Sequence, residues 1–183
     1  MGDVTLDFRH SKNATLLCEF RPWLTATARV CDELLDYDTW AFDYGEQSVV
    51  GVFGTGAARS GILPFFETYY DPAHDRDRRK RADLWLATSP HTFLEFKIAT
   101  WGKNSDNLNT RLGEAEAQLK LISAQENPRK IAVVIIAFEK SSYLQSPKLQ
   151  AKLSDFSKCS GDVIACFQEP NGRCATAFFK EVK

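Results

Sequence analysis

The sequence predicts an α/β protein in which helices flank a mixed central β-sheet. The run Lys130–Phe138, KIAVVIIAF, is apolar almost throughout, which is typical of a strand that helices cover on both faces. The segment Thr110–Ala124 before it carries apolar residues at the spacing of one helix face. The segment Ile62–Tyr70, ILPFFETYY, is rich in aromatic and β-favouring residues and predicts a strand. Strand and helix patterns therefore alternate, as in a sheet sandwiched by helices.

The composition of the 183-residue chain is that of an ordinary globular domain. Hydrophobic residues make up 44% and charged residues 26%, which is enough apolar material for one sizeable core. The formal net charge of −1 gives no general attraction to nucleic acid, so such binding would need a local basic patch. No apolar run reaches the roughly 20 residues that span a bilayer, and the N-terminus lacks the apolar core of a signal peptide. We therefore expect a cytoplasmic protein with no membrane partner.

The five cysteines favour reduced core thiols over a disulfide framework. Their number is odd, and no two of them are spaced as C-x-x-C. The alternative is a contact between Cys166 and Cys174, which would face each other across a late hairpin.

We expect a single domain, residues 1–183, in three parts. Residues 1–40 form an N-terminal helical extension, residues 44–138 form the core, and residues 139–183 add a helix and C-terminal strands. Within the extension, Val4–Phe8 has the character of a short strand, and Thr15–Tyr37 predicts one or two helices. Pro22 interrupts that pattern, so a helix should break there or begin just after it.

The remaining elements follow in order. A helix is expected over Tyr44–Ala58, where close packing or a frayed helix end explains the glycines. After the strand Ile62–Tyr70 comes a polar loop, Asp71–Lys80, and the helix Thr110–Ala124 should be capped by Thr110 or Asn109. The other predicted elements are strands at Arg81–Thr88, Thr92–Ala99 and Lys130–Phe138, a helix at Ser146–Ser157, and strands at Asp162–Gln168 and Cys174–Val182.

The stretch Arg81–Ala99, RADLWLATSPHTFLEFKIA, carries the strongest indication of function. It predicts two strands joined by a turn at Ser89-Pro90, with Asp83 on the first strand and Glu95 and Lys97 on the second. Apolar residues surround all three charges. Charges in such a setting are costly unless they are paired or bound to a metal ion.

The geometry of a strand makes a definite demand on these residues. Side chains two apart point the same way, about 6.6–6.8 Å apart, so Glu95 and Lys97 share a face. A three-residue loop would pair Thr88 with Thr92, and Asp83 with Lys97. A loop of two or four residues would instead put Asp83 on the opposite face.

If the three residues converge, their chemistry suits a divalent metal ion. Two carboxylates this close repel each other unless a cation lies between them, and oxygen ligands suit Mg²⁺ or Mn²⁺. A bound ion lowers the pKa of its water and neutralises charge on a phosphodiester. Lys97 could position the water or stabilise the transition state, and Glu46 on the preceding helix could add a ligand or a base. Glu67 is a weaker candidate on the neighbouring strand.

This arrangement resembles the PD-(D/E)XK nuclease superfamily, whose members have the restriction-endonuclease-like fold. The resemblance covers about Tyr44–Phe138 and depends on Glu46, Asp83, Glu95 and Lys97. It implies an αβββαβ core in which Asp83 and Glu95 bind Mg²⁺ and Lys97 assists phosphodiester hydrolysis. Ala82 stands where the proline of the family motif would be.

The resemblance leads us to expect a metal-dependent nuclease that acts on DNA. The basic cluster beside the acidic stretch would then contact phosphates, through Arg76, Arg78, Arg79 and Arg81. The alternatives are a solvated loop at that cluster, and an inactive domain of the same fold that binds nucleic acid or a protein partner. A third is an unrelated α/β protein in which Glu95 and Lys97 form an ordinary salt bridge and Asp83 caps a loop.

Overall fold

A computed structural model describes residues 3–70, 80–99, 107–122, 127–139 and 162–183, together with positions 147, 150, 151 and 154. The side chains of residues 10, 11, 67–70, 80 and 81 lie outside this description. The elements are β1 (Thr5–Ser11), α1 (Ala14–Leu35), a 3₁₀ helix (Ala41–Asp43), α2 (Glu46–Arg59), β2 (Pro64–Tyr70), β3 (Lys80–Leu86), β4 (Thr92–Ala99), α3 (Leu108–Lys120), β5 (Arg129–Phe138), β6 (Val163–Gln168) and β7 (Cys174–Glu181).

The described strands form one seven-stranded mixed sheet in the order β1-β6-β7-β5-β4-β3-β2. Strands β4 and β5 are parallel, and the other neighbours are antiparallel. The predicted α/β class with a mixed sheet is therefore confirmed. From α2 to β5 the chain also runs helix, three strands, helix, strand, as the sequence predicted.

Strand β5 lies at the centre of two hydrophobic clusters. Its residues Ile131 and Val133 alternate with Ala132 and Val134, and all four are buried. One set packs with residues of α1 and α2, and the other packs with residues of α3. The prediction of a strand covered on both faces is confirmed.

Helix α1 continues through Pro22, so the predicted break at that residue is wrong. Pro22 and Cys18, whose carbonyl loses its helical hydrogen bond, both lie on the exposed side of the helix, where water can replace the bond. The opposite side buries Trp23, and its indole donates a hydrogen bond of 2.7 Å to the Phe53 carbonyl of α2. Packing of this side outweighs the local cost of the proline.

The extension predicted over residues 1–40 is more than helical, because β1 pairs with β6 at one edge of the sheet. At the other end of the chain, β6 and β7 confirm the two predicted C-terminal strands. Of the predicted helix Ser146–Ser157, only positions 147, 150, 151 and 154 are described, and they are helical. In the described part of the chain, no helix combines the length and apolarity that crossing a membrane demands.

Helix α3 begins at Leu108, two residues earlier than predicted. Its N-cap is Asn107, whose side chain makes no capping hydrogen bond, so the prediction of a cap at Thr110 or Asn109 is wrong. The cysteines that the structure describes are free, and Cys166 Sγ lies 3.2 Å from the Thr176 hydroxyl, on the strand opposite it. The start of α3 and the state of these cysteines do not affect the strand order.

The glycines of α2 allow close packing, as the sequence suggested. A Cβ at Gly56 would lie 2.7 Å from the Thr27 Cα in α1, and a Cβ at Gly54 would collide with the Phe66 ring of β2. Helix α2 is thereby held tightly between α1 and the sheet, and this fixes the helix whose first residue is Glu46.

Gly56→Ala should lower the free energy of unfolding by about 1–3 kcal/mol, because the added methyl meets the backbone of α1. Gly51→Ala on the same helix is the matched control. Nothing lies within 4 Å of a Cβ at that position, so the better helix propensity of alanine should stabilise the protein by up to about 1 kcal/mol. Urea unfolding followed by circular dichroism measures both, and equal effects of the two changes would contradict the close approach of α1 and α2.

Candidate functional site

Strands β3 and β4 separate where the acidic residues lie. Their ladder runs from Leu86↔Thr92 to Leu84↔Leu94 and has no further pair among the described residues. Just beyond it, Asp83 Oδ2 accepts a hydrogen bond of 2.7 Å from the backbone N–H of Phe96. The Asp83 carboxylate therefore takes the place of a strand partner for Phe96.

The connection between these strands is longer than the two-, three- and four-residue loops considered from the sequence. Leu86 pairs with Thr92, so five residues join the strands. The Thr88 hydroxyl bonds the Pro90 carbonyl at 2.7 Å and lies 2.9 Å from the Thr92 hydroxyl, so side-chain bonds replace the last rungs of the ladder.

The wider connection nevertheless meets the geometric demand made by the sequence. Five is an odd number, as a three-residue loop would be, so continuing the register by one pair puts Asp83 opposite Glu95. Lys97, which a three-residue loop would have placed opposite Asp83, is two residues further along the same face. Asp83 and Glu95 therefore lie on one side of the sheet, at the point where the strands part.

Lys97 links the strand acid to helix α2. Its ammonium lies 2.6 Å from Glu95 Oε1 and 3.4 Å from Glu46 Oε1, and it also donates to the Phe96 carbonyl at 2.9 Å. Only 13% of the Lys97 side chain is exposed. Glu46, Asp83, Glu95 and Lys97, which the sequence singled out together, thus form one cluster built from α2, β3 and β4.

Among the described side chains, the cluster has three carboxylates and one ammonium, and their charges change the titration of Glu95 and Lys97. Glu95 is only 2% exposed, and burial raises its pKa to about 7, helped by the nearby charges of Asp83 and Glu46 and opposed by the hydrogen bond from Lys97. Burial alone would lower the pKa of Lys97. The hydrogen bond and charge of Glu95, with Asp83 and Glu46, outweigh it, so the pKa of Lys97 is raised and the ammonium persists at neutral pH.

Several predicted site residues lie outside what the structure describes. Arg76, Arg78 and Arg79 fall in the undescribed range 71–79, between β2 and β3. Arg81 belongs to β3 and Glu67 to β2, but neither side chain is described. The phosphate-contact role of these arginines stays a prediction from sequence.

Sequence reasoning missed a second charged group, at the β6–β7 turn. Glu169 is 1% exposed, and Arg173 binds both its oxygens, at 2.5 and 2.9 Å. Arg173 also reaches Asp43 of the 3₁₀ helix, at 2.9 Å. The opposite charges of Glu169 and Arg173 on either side of the Pro-Asn-Gly turn could have indicated their contact. Nothing in the local sequence indicates the contact between Arg173 and Asp43.

The donor set of the main cluster suits a hard divalent ion. Within the described ranges, no group of three or more Asp, Glu, His or Cys side chains is arranged to hold a metal. Asp83 and Glu95 remain a pair of carboxylates whose mutual repulsion a cation would relieve. Mg²⁺ is commonly held by one or two carboxylates with water and substrate phosphate completing the shell. The residues present fit that mode of binding.

No protein-family model matches this chain, and no match was found among curated proteins or solved structures. The function must therefore be inferred from the chain's own residues.

Glu95→Gln should stabilise the folded protein at pH 8. A carboxyl whose pKa is higher in the folded chain than in the unfolded chain favours folding less as the pH rises from about 4.5 to about 7. The amide removes that penalty, so the variant should unfold with a free energy higher by on the order of 1–3 kcal/mol. The difference should shrink towards pH 5, as measured by urea unfolding in EDTA.

In the same experiment, Lys97→Met should change the free energy of unfolding in the opposite direction. It leaves the buried Glu95 carboxylate without its ammonium partner, so it should destabilise the protein at pH 8.

The prediction for Glu95→Gln has its own test. If the wild type proved at least as stable as Glu95→Gln at pH 8, the unfavourable ionisation inferred for Glu95 would be wrong.

Proposed function

We propose that this protein is a metal-dependent nuclease that hydrolyses phosphodiester bonds in nucleic acid, with DNA as the expected substrate. The convergence of Glu46, Asp83, Glu95 and Lys97 is the observation that carries this proposal. Residues from one helix and two strands bring three carboxylates and an ammonium together, and one carboxylate is almost completely buried. Such concentrations of perturbed charge are characteristic of functional sites.

The order of the elements supports a restriction-endonuclease-like core. The succession α2–β2–β3–β4–α3–β5 has the αβββαβ order of the PD-(D/E)XK superfamily, with β2, β3 and β4 antiparallel and β5 parallel to β4. Asp83 and Glu95 lie just beyond the last described pair of the β3–β4 ladder, where the Asp83 carboxylate bonds the Phe96 N–H. We therefore assign the chain to this superfamily as part of the same proposal.

Asp83 and Glu95 would hold the metal, Mg²⁺ or Mn²⁺. When bound, a divalent ion lowers the pKa of its water and neutralises charge on the phosphodiester. The Phe96 N–H fixes one oxygen of Asp83, so this carboxylate is oriented before a metal arrives. Release of Glu95 Oε1 from Lys97 would make that oxygen available as a ligand.

Lys97 would act on the reacting atoms. Its ammonium can donate a hydrogen bond to the attacking water or to a phosphoryl oxygen as negative charge develops there. The water oxygen forms the new bond to phosphorus, the ester bond breaks, and the leaving oxygen takes up a proton. Glu46 would hold the ammonium in place once Glu95 turns to the metal, because it already lies 3.4 Å from Lys97 Nζ.

The substrate class is inferred from the basic residues between β2 and β3. Arg76, Arg78, Arg79 and Arg81 make up the densest cationic cluster of a chain whose net charge is −1. A polyanion approaching the site would meet positive charge there rather than over the whole surface.

One observation favours a catalytically silent member of the same fold, which would bind nucleic acid or a protein partner. Lys97 is bound to Glu95 at 2.6 Å, and no three Asp, Glu, His or Cys side chains of the described residues are arranged to hold a metal ion together. In a silent domain, the ion pair between Lys97 and Glu95 would stay closed, and no metal ion would replace the ammonium. Metal binding and cleavage separate the two proposals.

Purified wild-type protein should cleave nucleic acid in Mg²⁺ or Mn²⁺, and Lys97→Ala and Glu95→Ala should each reduce the rate by at least about 100-fold. The substrates are single-stranded, duplex and branched DNA, with matched RNA, followed on denaturing gels. Glu181→Gln is the control, because Glu181 and Lys183 repeat the Glu-x-Lys pattern away from the cluster. Cleavage that survives both site variants would falsify the assignment.

Mn²⁺ should raise the melting temperature of the wild type, because a ligand that binds only the folded state stabilises it by about 2.7 kcal/mol at 100 times its Kd. Asp83→Asn should lose this rise, since it removes a charged ligand, whereas Lys97→Ala should retain it. Differential scanning calorimetry provides the measurement. A wild type that does not respond to Mn²⁺ would support the silent domain.

A further inference from the structure

The position of Glu46 depends on the segment immediately before it. Glu46 is the first residue of α2, and only Tyr44 and Gly45 separate it from the 3₁₀ helix Ala41–Asp43. Gly45 has φ of +86°, a conformation that favours glycine and turns the chain sharply into α2. The first turn of α2 is bonded back to this connection, because the Val49 N–H donates to the Gly45 carbonyl and the Ser48 hydroxyl donates to the Tyr44 carbonyl.

The β6–β7 hairpin holds the 3₁₀ helix. Arg173 Nη1 lies 2.9 Å from Asp43 Oδ2, and the Arg173 guanidinium also lies over the Trp40 ring. The Phe42 ring packs on Phe167 of β6, with 5.5 Å between the ring centroids. The 3₁₀ helix is therefore attached to the hairpin by an ion pair, a cation–π contact and an aromatic contact.

Arg173 is itself fixed by a buried partner. The Glu169 side chain is fully buried and binds the guanidinium through two hydrogen bonds, a geometry that leaves arginine little freedom. The Nη1 group directed at Asp43 thus has a defined position relative to the sheet that carries Lys97.

We infer that Arg173 and Asp43 are positioning residues, which place the Glu46 carboxylate against the Lys97 ammonium. The connection runs from Glu169 through Arg173 and Asp43 into the first turn of α2. Its effect on catalysis rests on the nuclease function proposed above, whereas its effect on α2 does not.

Helix α2 offers a matched control at its other end. Arg59 forms a two-fold ion pair with Glu33 of α1, and it lies more than three helical turns from Glu46. Arg59→Ala also removes an arginine–carboxylate contact of α2, but it leaves the first turn of the helix untouched. A general loss of stability would affect Asp43→Ala and Arg59→Ala alike. A loss of the position of Glu46 would affect Asp43→Ala alone.

The first readout is amide hydrogen exchange, which needs no activity. In Asp43→Ala, the amides of Val49, which bonds the Gly45 carbonyl, and of Val50 should exchange at least about tenfold faster than in the wild type. In Arg59→Ala they should stay within about twofold. Unchanged exchange in Asp43→Ala, or equal acceleration in the two variants, would overturn the inference.

The second readout is the kinetics of metal-dependent cleavage. Asp43→Ala should lower kcat about tenfold and leave KM within about twofold, because a misplaced Glu46 affects the reacting groups rather than substrate binding. Asp43→Asn, which keeps an acceptor for Arg173, should recover part of the loss. Combining Asp43→Ala with Glu46→Gln should slow the reaction no further than Glu46→Gln alone, and additive losses would contradict the inference.

Arg173 is tested through Arg173→Lys, because Arg173→Ala would leave the buried Glu169 carboxylate without its partner and would strongly destabilise the whole protein. Lysine keeps the charge but cannot bind Glu169 and Asp43 at once in the planar geometry of arginine, so exchange at Val49 and Val50 should rise as in Asp43→Ala. If the wild type lacks metal-dependent cleavage, the nuclease proposal fails, and the exchange experiment still decides the inference about α2.

Discussion

The Lys97 ammonium is the contact on which the candidate site depends. It joins Glu95 of the sheet, at 2.6 Å, to Glu46 of α2, at 3.4 Å. Asp83 completes the cluster from the next strand, through its bond to the Phe96 N–H. Among the described side chains, the Lys97 ammonium thus contacts the buried Glu95 carboxylate and the partly exposed Glu46 carboxylate, with Asp83 close by. This arrangement is stable only because the surrounding sheet and helices hold the residues where they are.

The charge imbalance has a physical consequence for Glu95. Burial and the neighbouring acids raise its pKa to about 7, so the folded protein carries a carboxyl that resists ionisation near neutral pH. A core built only for stability would place an apolar residue or a fully balanced ion pair there. Perturbed carboxyls of this kind occur both in structural ion-pair networks and at functional sites.

The candidate site also depends on parts of the chain outside residues 44–138. The Trp23 indole of α1 bonds the Phe53 carbonyl of α2, and the β6–β7 hairpin contacts the 3₁₀ helix through Arg173. Strand β7 lies directly beside β5, and β1 extends the same sheet beyond β6. The terminal segments are therefore structural parts of the unit that carries the cluster, because they contact α2, the 3₁₀ helix and β5.

The sequence by itself determined the elements whose patterns are local. The apolar run of β5, the helical spacing of α3 and the period-two placement of Glu95 and Lys97 depend on neighbours within a few residues, so they could be predicted. Only the tertiary structure decided the five-residue connection that sets Asp83 opposite Glu95, the passage of α1 through Pro22, and the contact between Asp43 and Arg173. These features depend on which distant segments pack together. Hydrogen bonds and burial supplied by another part of the chain override the preference of the local sequence.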